Sequence, residues 1–150
     1  MPGTYHCLKL HVVFSTKNRQ PLLTADVRDR VHTYLAAIIR GERGVALQIG
    51  GVNDHVHVLL GWRTDQSIAT LLRLLKSNSS RWIHERIPTL QGFAWQEGYS
   101  VFSVSQSRVE AVRRYILGQA EHHRTRSFQD ELLQLLGAHR VEFDPKYVFD

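Results

Sequence analysis

One cysteine, Cys7, stands in the 150 residues, so no disulfide can close within the chain. A lone thiol suits a reducing cytoplasm, and without paired cysteines there is no structural zinc site of the familiar kind. No stretch approaches the roughly 20 consecutive apolar residues that a membrane helix needs. Tyr5, His6, Lys9 and His11 interrupt the apolar residues at the N-terminus, which excludes a secretory core there. A Walker loop and an HExxH helix are missing as well, so the chain shows no device for using ATP and no zinc-protease helix. There is no internal repeat, low-complexity tract or linker, and the expectation is one domain over residues 1–150. What is present is ordinary for a globular protein: 43% of residues are hydrophobic and 22% charged. Nineteen Lys and Arg against fourteen Asp and Glu give a net charge of +5, which favours a polyanionic partner without identifying it.

From Tyr5 to Thr16 the residues alternate, with Leu8, Leu10, Val12 and Phe14 on one face and Lys9, His11 and Val13 on the other, the pattern of a half-buried strand. After Thr24, positions Val27, Val31, Leu35 and Ile38 recur at helical spacing until Gly41 and Gly44. Val45 to Ile49 and Val56 to Leu60 then form a strand pair around Gly50 to Asp54. A long helix follows, capped by Thr64 or Asp65 and ended by Pro88. Phe93–Trp95 and Tyr99–Val104 read as short strands. Ser107 and Glu110 are spaced as a capping box for a third helix with a core stripe of Val109, Val112, Ile116 and Ala120. A short fourth helix near Phe128 to Leu136 precedes an extended tail, Val141 to Phe149. Strand, helix, strand, strand, helix, strand predicts an α+β sandwich of ferredoxin-like topology, a mainly antiparallel sheet covered by helices.

The sharpest local feature is His55-Val56-His57. Residues two apart in a strand share a face, so both imidazoles aim at one point and make half a metal site. With nine histidines in the chain, an ordinary hydrogen-bonded pair is an equally good reading of the motif alone. A histidine-triad hydrolase would need a third His where Leu59 stands. On the third predicted helix Tyr115 and Gln119 lie four apart and share a face, with His122 a turn further on. That face is rotated away from the apolar stripe. Tyr115 is therefore either amphipathic packing or a nucleophile, with Gln119 a neutral oxygen donor beside it. Arg108, Arg113, Arg114, Arg124 and Arg126 crowd the segment and could bind phosphate.

His55-Val56-His57, Trp95-Gln96-Glu97-Gly98-Tyr99 with Phe102-Ser103-Val104-Ser105, and Tyr115-Ile116-Leu117-Gly118-Gln119 followed by Glu121-His122-His123-Arg124 together resemble the insertion-sequence 200-like transposases. These are the small single-tyrosine members of the HUH nuclease superfamily. The resemblance runs from Thr16-Lys17 to the Ser127–Glu131 segment and the Val141–Phe143 tail. It implies that His55 and His57 bind a metal, that Gln119 is the third ligand, and that Tyr115 forms a 5′-phosphotyrosine link to single-stranded DNA. It further implies an RNA-recognition-like fold, DNA hairpins as targets, and a homodimer with composite active sites. Asp54 takes a supporting place behind His55 rather than on the metal. His122 and His123 are left without a role, with partial solvent exposure or DNA contact favoured over metal ligation.

Imidazoles by themselves suit zinc, copper or nickel and oxygen donors suit magnesium or manganese, so donor chemistry leaves the ion open. The resemblance favours Mg2+ or Mn2+. A phenol with a reference pKa of about 10 needs help to ionise, and the metal and the nearby arginines are expected to supply it. Covalent catalysis needs no ATP, because the phosphotyrosine bond conserves the cleaved linkage. Lys17, Arg19, Lys76, Arg81, Arg113 and Arg114 are candidates for DNA phosphates, and Trp62 and Trp95 for base stacking against a simpler role in the core. The expected function is a metal-dependent single-stranded DNA transposase. The rivals are a non-catalytic or domesticated hairpin-binding relative and a phosphodiesterase that uses metal-bound water.

Overall fold

The computed structural model describes residues 3–150. Four strands, β1 (Lys9–Ser15), β2 (Val45–Gly51), β3 (His55–Gly61) and β4 (Ser100–Val104), form one sheet in the order β2-β3-β1-β4. Each neighbouring pair is antiparallel. The connections run through α1 (Ala25–Gly41) and α2 (Ile68–Arg86), which gives the expected α+β sandwich with ferredoxin-like topology. Three further helices follow β4: α3 (Val109–Leu117), the single turn α4 (Gln119–His122) and α5 (Phe128–Ala138).

The period of two in β1 and β3 sorts their side chains between two layers. Leu10, Val12 and Phe14 join Val56, Val58 and Leu60 on one face, under Val31, Leu35 and Ile39 of α1 and Leu71, Leu75 and Ile83 of α2. Each such aliphatic side chain contributes about 1.5–3 kcal/mol on full burial. The opposite face is covered too. There Val13 and Phe102 pack on Phe128, Leu132 and Leu136 of α5, and Leu59 packs on Val109 and Ile116 of α3. The half-buried reading of β1 is corrected accordingly, since Leu10 to Ser15 are all buried. Alternation misleads here because the polar members of the second face, His11, His55 and His57, are hydrogen-bonded beneath helices instead of meeting water.

Local signals place the helix ends differently in three places. Ser67, not Thr64 or Asp65, caps α2, its hydroxyl accepting from the Thr70 amide at 3.0 Å. Ser107 makes no capping box, because a 3-10 turn at Gln106–Arg108 moves the start of α3 to Val109. Glu110 then falls one position short of the box and pairs with Arg113 at 3.3 Å. The third helix stops at Leu117, and the break at Gly118 leaves Ala120 exposed instead of on the core stripe. Phe93–Trp95 is no strand and makes only an isolated bridge between Trp95 and Thr16. The tail is not extended throughout: it turns at residues 145–149 and packs Val148 and Phe149 on the α5 cluster.

Helix α3 lies close on β2. A Cβ built on Gly50 would stand 2.6 Å from the Ile116 carbonyl oxygen, so only glycine admits this approach. The Arg113 guanidinium reinforces it by donating to the Leu47 carbonyl at 2.8 Å. Gly50→Ala is expected to push α3 off the sheet and to lower stability by about 1–3 kcal/mol in urea unfolding, the usual cost of overpacking.

His32 of α1 has a buried Nε2 with no hydrogen-bond partner. Burial, joined by repulsion from Arg28 and opposed by Asp29, lowers its pKa from 6.5 to about 4. Between those values the unfolded chain binds a proton that the folded chain refuses, so stability falls as pH drops from 6.5 toward 4. His32→Leu is expected to make urea midpoints measured across that window less pH-dependent.

Candidate active site

The register Ser15↔His55 and Val13↔His57 sets both histidines of β3 on the face roofed by α3, α4 and α5. Both are fully buried, and each ring has a partner behind it. Asp54 accepts from His55 Nδ1 at 2.7 Å. His11 on β1 places its Nε2 2.7 Å from His57 Nδ1. The front nitrogens, His55 Nε2 and His57 Nε2, converge on Oε1 of Glu131 at 3.2 and 2.9 Å. Gln119 Oε1 approaches His55 Nε2 at 2.9 Å.

Glu131 is the centre of this cluster. Its Oε1 also lies 3.1 Å from His123 Nε2, while its Oε2 accepts from the Tyr115 hydroxyl and, at 3.0 Å, from the Gln119 amide. Ligand atoms of His55, His57 and Glu131 all fall within 4.8 Å of one another, a spacing one cation could span. The partners behind the histidines suit that role. Asp54 fixes the His55 tautomer that leaves Nε2 for a ligand bond, and His57 can do the same by donating from Nδ1 to His11. Two imidazoles, a carboxylate oxygen and an amide oxygen thus fit a divalent metal.

The electrostatics follow from burial and from that carboxylate. Burial opposes a charge on His55, but the Asp54 and Glu131 carboxylates outweigh it and raise its pKa from 6.5 to about 9. Burial wins at His57: despite the bond to Glu131, its pKa falls to about 4, with repulsion from His55 and His123 adding to the effect. His11 falls to about 3, through burial and then the charge of His57. Burial also works against ionised Glu131, yet hydrogen bonds from His123, His55 and His57 hold its carboxyl far below the usual range. The Tyr115 phenol is pushed above its ordinary value by burial and by Glu131, with Arg126 opposing.

The structure brings together Tyr115, His55, His57 and Gln119, with Asp54 behind His55. All belong to one chain. Glu131 is the residue that sequence reasoning missed. A signal existed: Glu131 follows Phe128 by three positions and precedes Leu132, so it is a carboxylate on the apolar face of α5. His123, which the sequence left without a role, is part-buried: its Nε2 lies 3.1 Å from both Gln119 Oε1 and Glu131 Oε1, and it also borders a cavity. His122 stacks on the Tyr115 ring, with centroids 4.8 Å apart. Of the five nearby arginines only Arg126 reaches the phenol, at 3.4 Å, so the expected cationic field around Tyr115 is thinner than its sequence neighbours imply. Arg124 pairs instead with Glu121 and Arg113 holds β2, while Arg108 lines the cavity beside Tyr115.

The surface candidates divide. Lys17, Arg81 and Arg114 are exposed. Arg19 is engaged by the tail, donating to the Phe149 carbonyl at 3.2 Å. The Lys76 ammonium is held by the carbonyls of Gln96, Glu97 and Gly98. Trp62 and Trp95 are buried in the main core and offer no stacking platform: the Trp62 ring packs by Gly44 just past the end of α1, and Trp95 donates to Ser79 of α2. A cavity of about 350 Å³ opens beside Tyr115, His11 and Arg108. Another, of about 460 Å³, opens beside Asp54, His123 and Arg126. The cluster is therefore flanked by space on two sides.

Comparison with known proteins gives the family and the fold. The ISDra2 transposase TnpA of Deinococcus radiodurans is 26% identical over 122 residues, covering 78% of this chain and 87% of the relative. The transposase for insertion sequence element IS200 of Salmonella typhimurium is 26% identical over 118 residues, covering 75% and 77%. A transposase crystal structure from Deinococcus radiodurans R1 superposes with a TM-score of 0.67 at 27% identity, covering 79% of this chain and 95% of that one. A REP-associated tyrosine transposase bound to a REP hairpin shares the fold, with a TM-score of 0.60 at 13% identity, covering 82% and 73%. Residues 4–119 match the family described as "Transposase IS200 like", and the chain belongs to that family of single-tyrosine transposases.

Proposed function

We propose that this transposase cleaves and rejoins single-stranded DNA through Tyr115, with a divalent metal held by His55, His57 and Gln119. The observation that carries the reading is that one carboxylate, Glu131, touches the Tyr115 hydroxyl with one oxygen and the two histidines with the other, so nucleophile and metal ligands share one point. Mg2+ or Mn2+ bound there would withdraw charge from the phosphate oxygens and fix the phosphorus in line with its attacker.

The chain's own groups supply the rest. Tyr115 Oη attacks phosphorus, the bond from phosphorus to the 3′ oxygen breaks, and the phenolic proton ends on the released 3′-hydroxyl. The DNA is left as a 5′-phosphotyrosine ester, and a different 3′-hydroxyl reverses the step to rejoin strands. Burial and Glu131 push the phenol above its ordinary value, so its ionisation depends on positive charge brought close to it. Arg126, 3.4 Å from the phenolic oxygen, is placed to stabilise negative charge as it develops there. Asp54 orients His55 from behind.

Hairpin DNA is the proposed target, supported by the family and by the hairpin that the REP-associated structure carries. Lys17, Arg81 and Arg114 are the exposed cations available for its phosphates. Among the described residues no helix is long and apolar enough to cross a membrane. Action in the cytoplasm is part of the proposal and accords with the lone thiol. The family resemblance also carries a homodimer with composite sites. In this chain Tyr115 meets its own histidines, and an exchange of α3 between subunits would re-form the Arg113–Leu47 bond and the Gly50–Ile116 approach across the dimer.

Incubated with labelled hairpin-containing single strands from the flanks of its own gene and Mn2+, the protein is expected to give a denaturation-resistant adduct on Tyr115. Tyr115→Phe should bind the DNA and form none. Tight hairpin binding without an adduct under confirmed metal occupancy would favour a non-catalytic relative, and free 5′-phosphate without an adduct would favour attack by water. Mixing Tyr115→Phe with His57→Ala protein tests the composite site: exchange of α3 between subunits predicts recovery of the adduct, and no recovery would leave each site within one chain.

A further inference from the structure

We propose that Glu131 ties the nucleophile to the metal: its Oε1 joins His55 and His57 as a ligand, and its Oε2 holds the Tyr115 hydroxyl beside them. The proposal deepens the function above and rests on it. Glu131 lies beyond residues 4–119, the part of the chain that matches the family.

Three features carry it. The first is the division of labour within one carboxylate. Oε1 stands 2.9 Å from His57 Nε2 and 3.2 Å from His55 Nε2, whereas Oε2 receives the phenol and the Gln119 amide nitrogen. The second is rigidity. Ser127 caps α5 by accepting from the Asp130 amide at 3.1 Å, and Phe128, Leu132 and Leu136 lock the helix onto Val13 and Phe102. Glu131 is 1% exposed, so its carboxylate has little freedom to turn elsewhere. The third is donor chemistry. A pair of imidazoles favours softer ions, and an anionic oxygen shifts the set toward Mg2+ or Mn2+. Gln119 reinforces the arrangement, since its Nε2 donates to Glu131 while its Oε1 remains directed at His55 and His123.

Glu131 is thus a positioning residue for Tyr115 as well as a ligand. Because the two oxygens belong to one rigid group, the place of the phenol is set relative to the metal and not merely relative to the sheet.

Two measurements on the full chain, both without DNA, test the two halves. Mn2+ titration followed by electron paramagnetic resonance should show Glu131→Gln binding about tenfold more weakly than the wild type or worse. Tyr115→Phe should bind as the wild type does. Glu131→Asp keeps the charge on a shorter stem and should fall between wild type and Glu131→Gln. Undiminished Mn2+ binding by a folded Glu131→Gln overturns the ligand role. For the anchoring role, carbon-13 NMR of ring-labelled tyrosine should show the Tyr115 Cζ resonance, assigned with Tyr115→Phe, displaced in Glu131→Ala. An unmoved resonance overturns the anchoring. Since neither readout needs strand transfer, a protein that gives both expected results but no adduct would refute the function above and leave Glu131 as assigned.

Discussion

Four nitrogen-bearing side chains and a phenol converge under α5 on the carboxylate of Glu131, and the second face of the sheet is organised around that need for a buried counter-charge. Without it, His57 Nε2 would lie beneath a helical roof with no partner and His55 and His123 would share Gln119 Oε1 alone, and a buried polar group stripped of its partner costs roughly 1–3 kcal/mol. The carboxylate in turn is tolerable in an interior only because so many donors surround it. Neither half is stable alone. Packing of α5 through Phe128, Leu132 and Leu136 is therefore as much a part of the site as the histidines themselves.

The same mutual dependence explains why α3 is placed so tightly. Tyr115 can reach Glu131 only if its helix approaches β2 as closely as Gly50 allows, and Gly118 then ends that helix so that Gln119 begins a new turn directed at His55. The close approach at Gly50 and the helix break at Gly118 thus set the separation of Tyr115 from His55, His57 and Gln119. Asp54 and His11 complete the shell from the sheet side, each holding the rear nitrogen of one histidine.

Much of this was legible before any coordinates. Alternation and helical spacing located the sheet and both long helices, because those elements bury one kind of surface on one side. His55 and His57 stood out since a strand aims alternate residues together, and Tyr115 and Gln119 since a helix does so at four. What periodicity could not reveal was the second covering layer, which depends on contacts between α3 or α5 and strands far away in sequence. The missing role of His123, the omission of Glu131 and the half-buried reading of β1 share that cause: each required knowing that α5 folds back over His55 and His57. The capping errors at Ser67 and Ser107 were local, arising where several polar residues compete to start one helix.

A four-stranded sheet of this topology commonly serves nucleic-acid-binding proteins as an open platform, with bases stacked across aromatic residues on its bare face. Here that face is closed. Helices α3 and α5 lie over it, and the residues it presents are His11, Val13, His55, His57 and Leu59, all buried. A polynucleotide cannot lie across these strands; it has to come in past the roof, through the clefts beside Tyr115 and beside Asp54 and Arg126. The platform that other proteins of this shape use for reading sequence is here the floor of a closed polar cluster, which leaves contact with a strand to the rim.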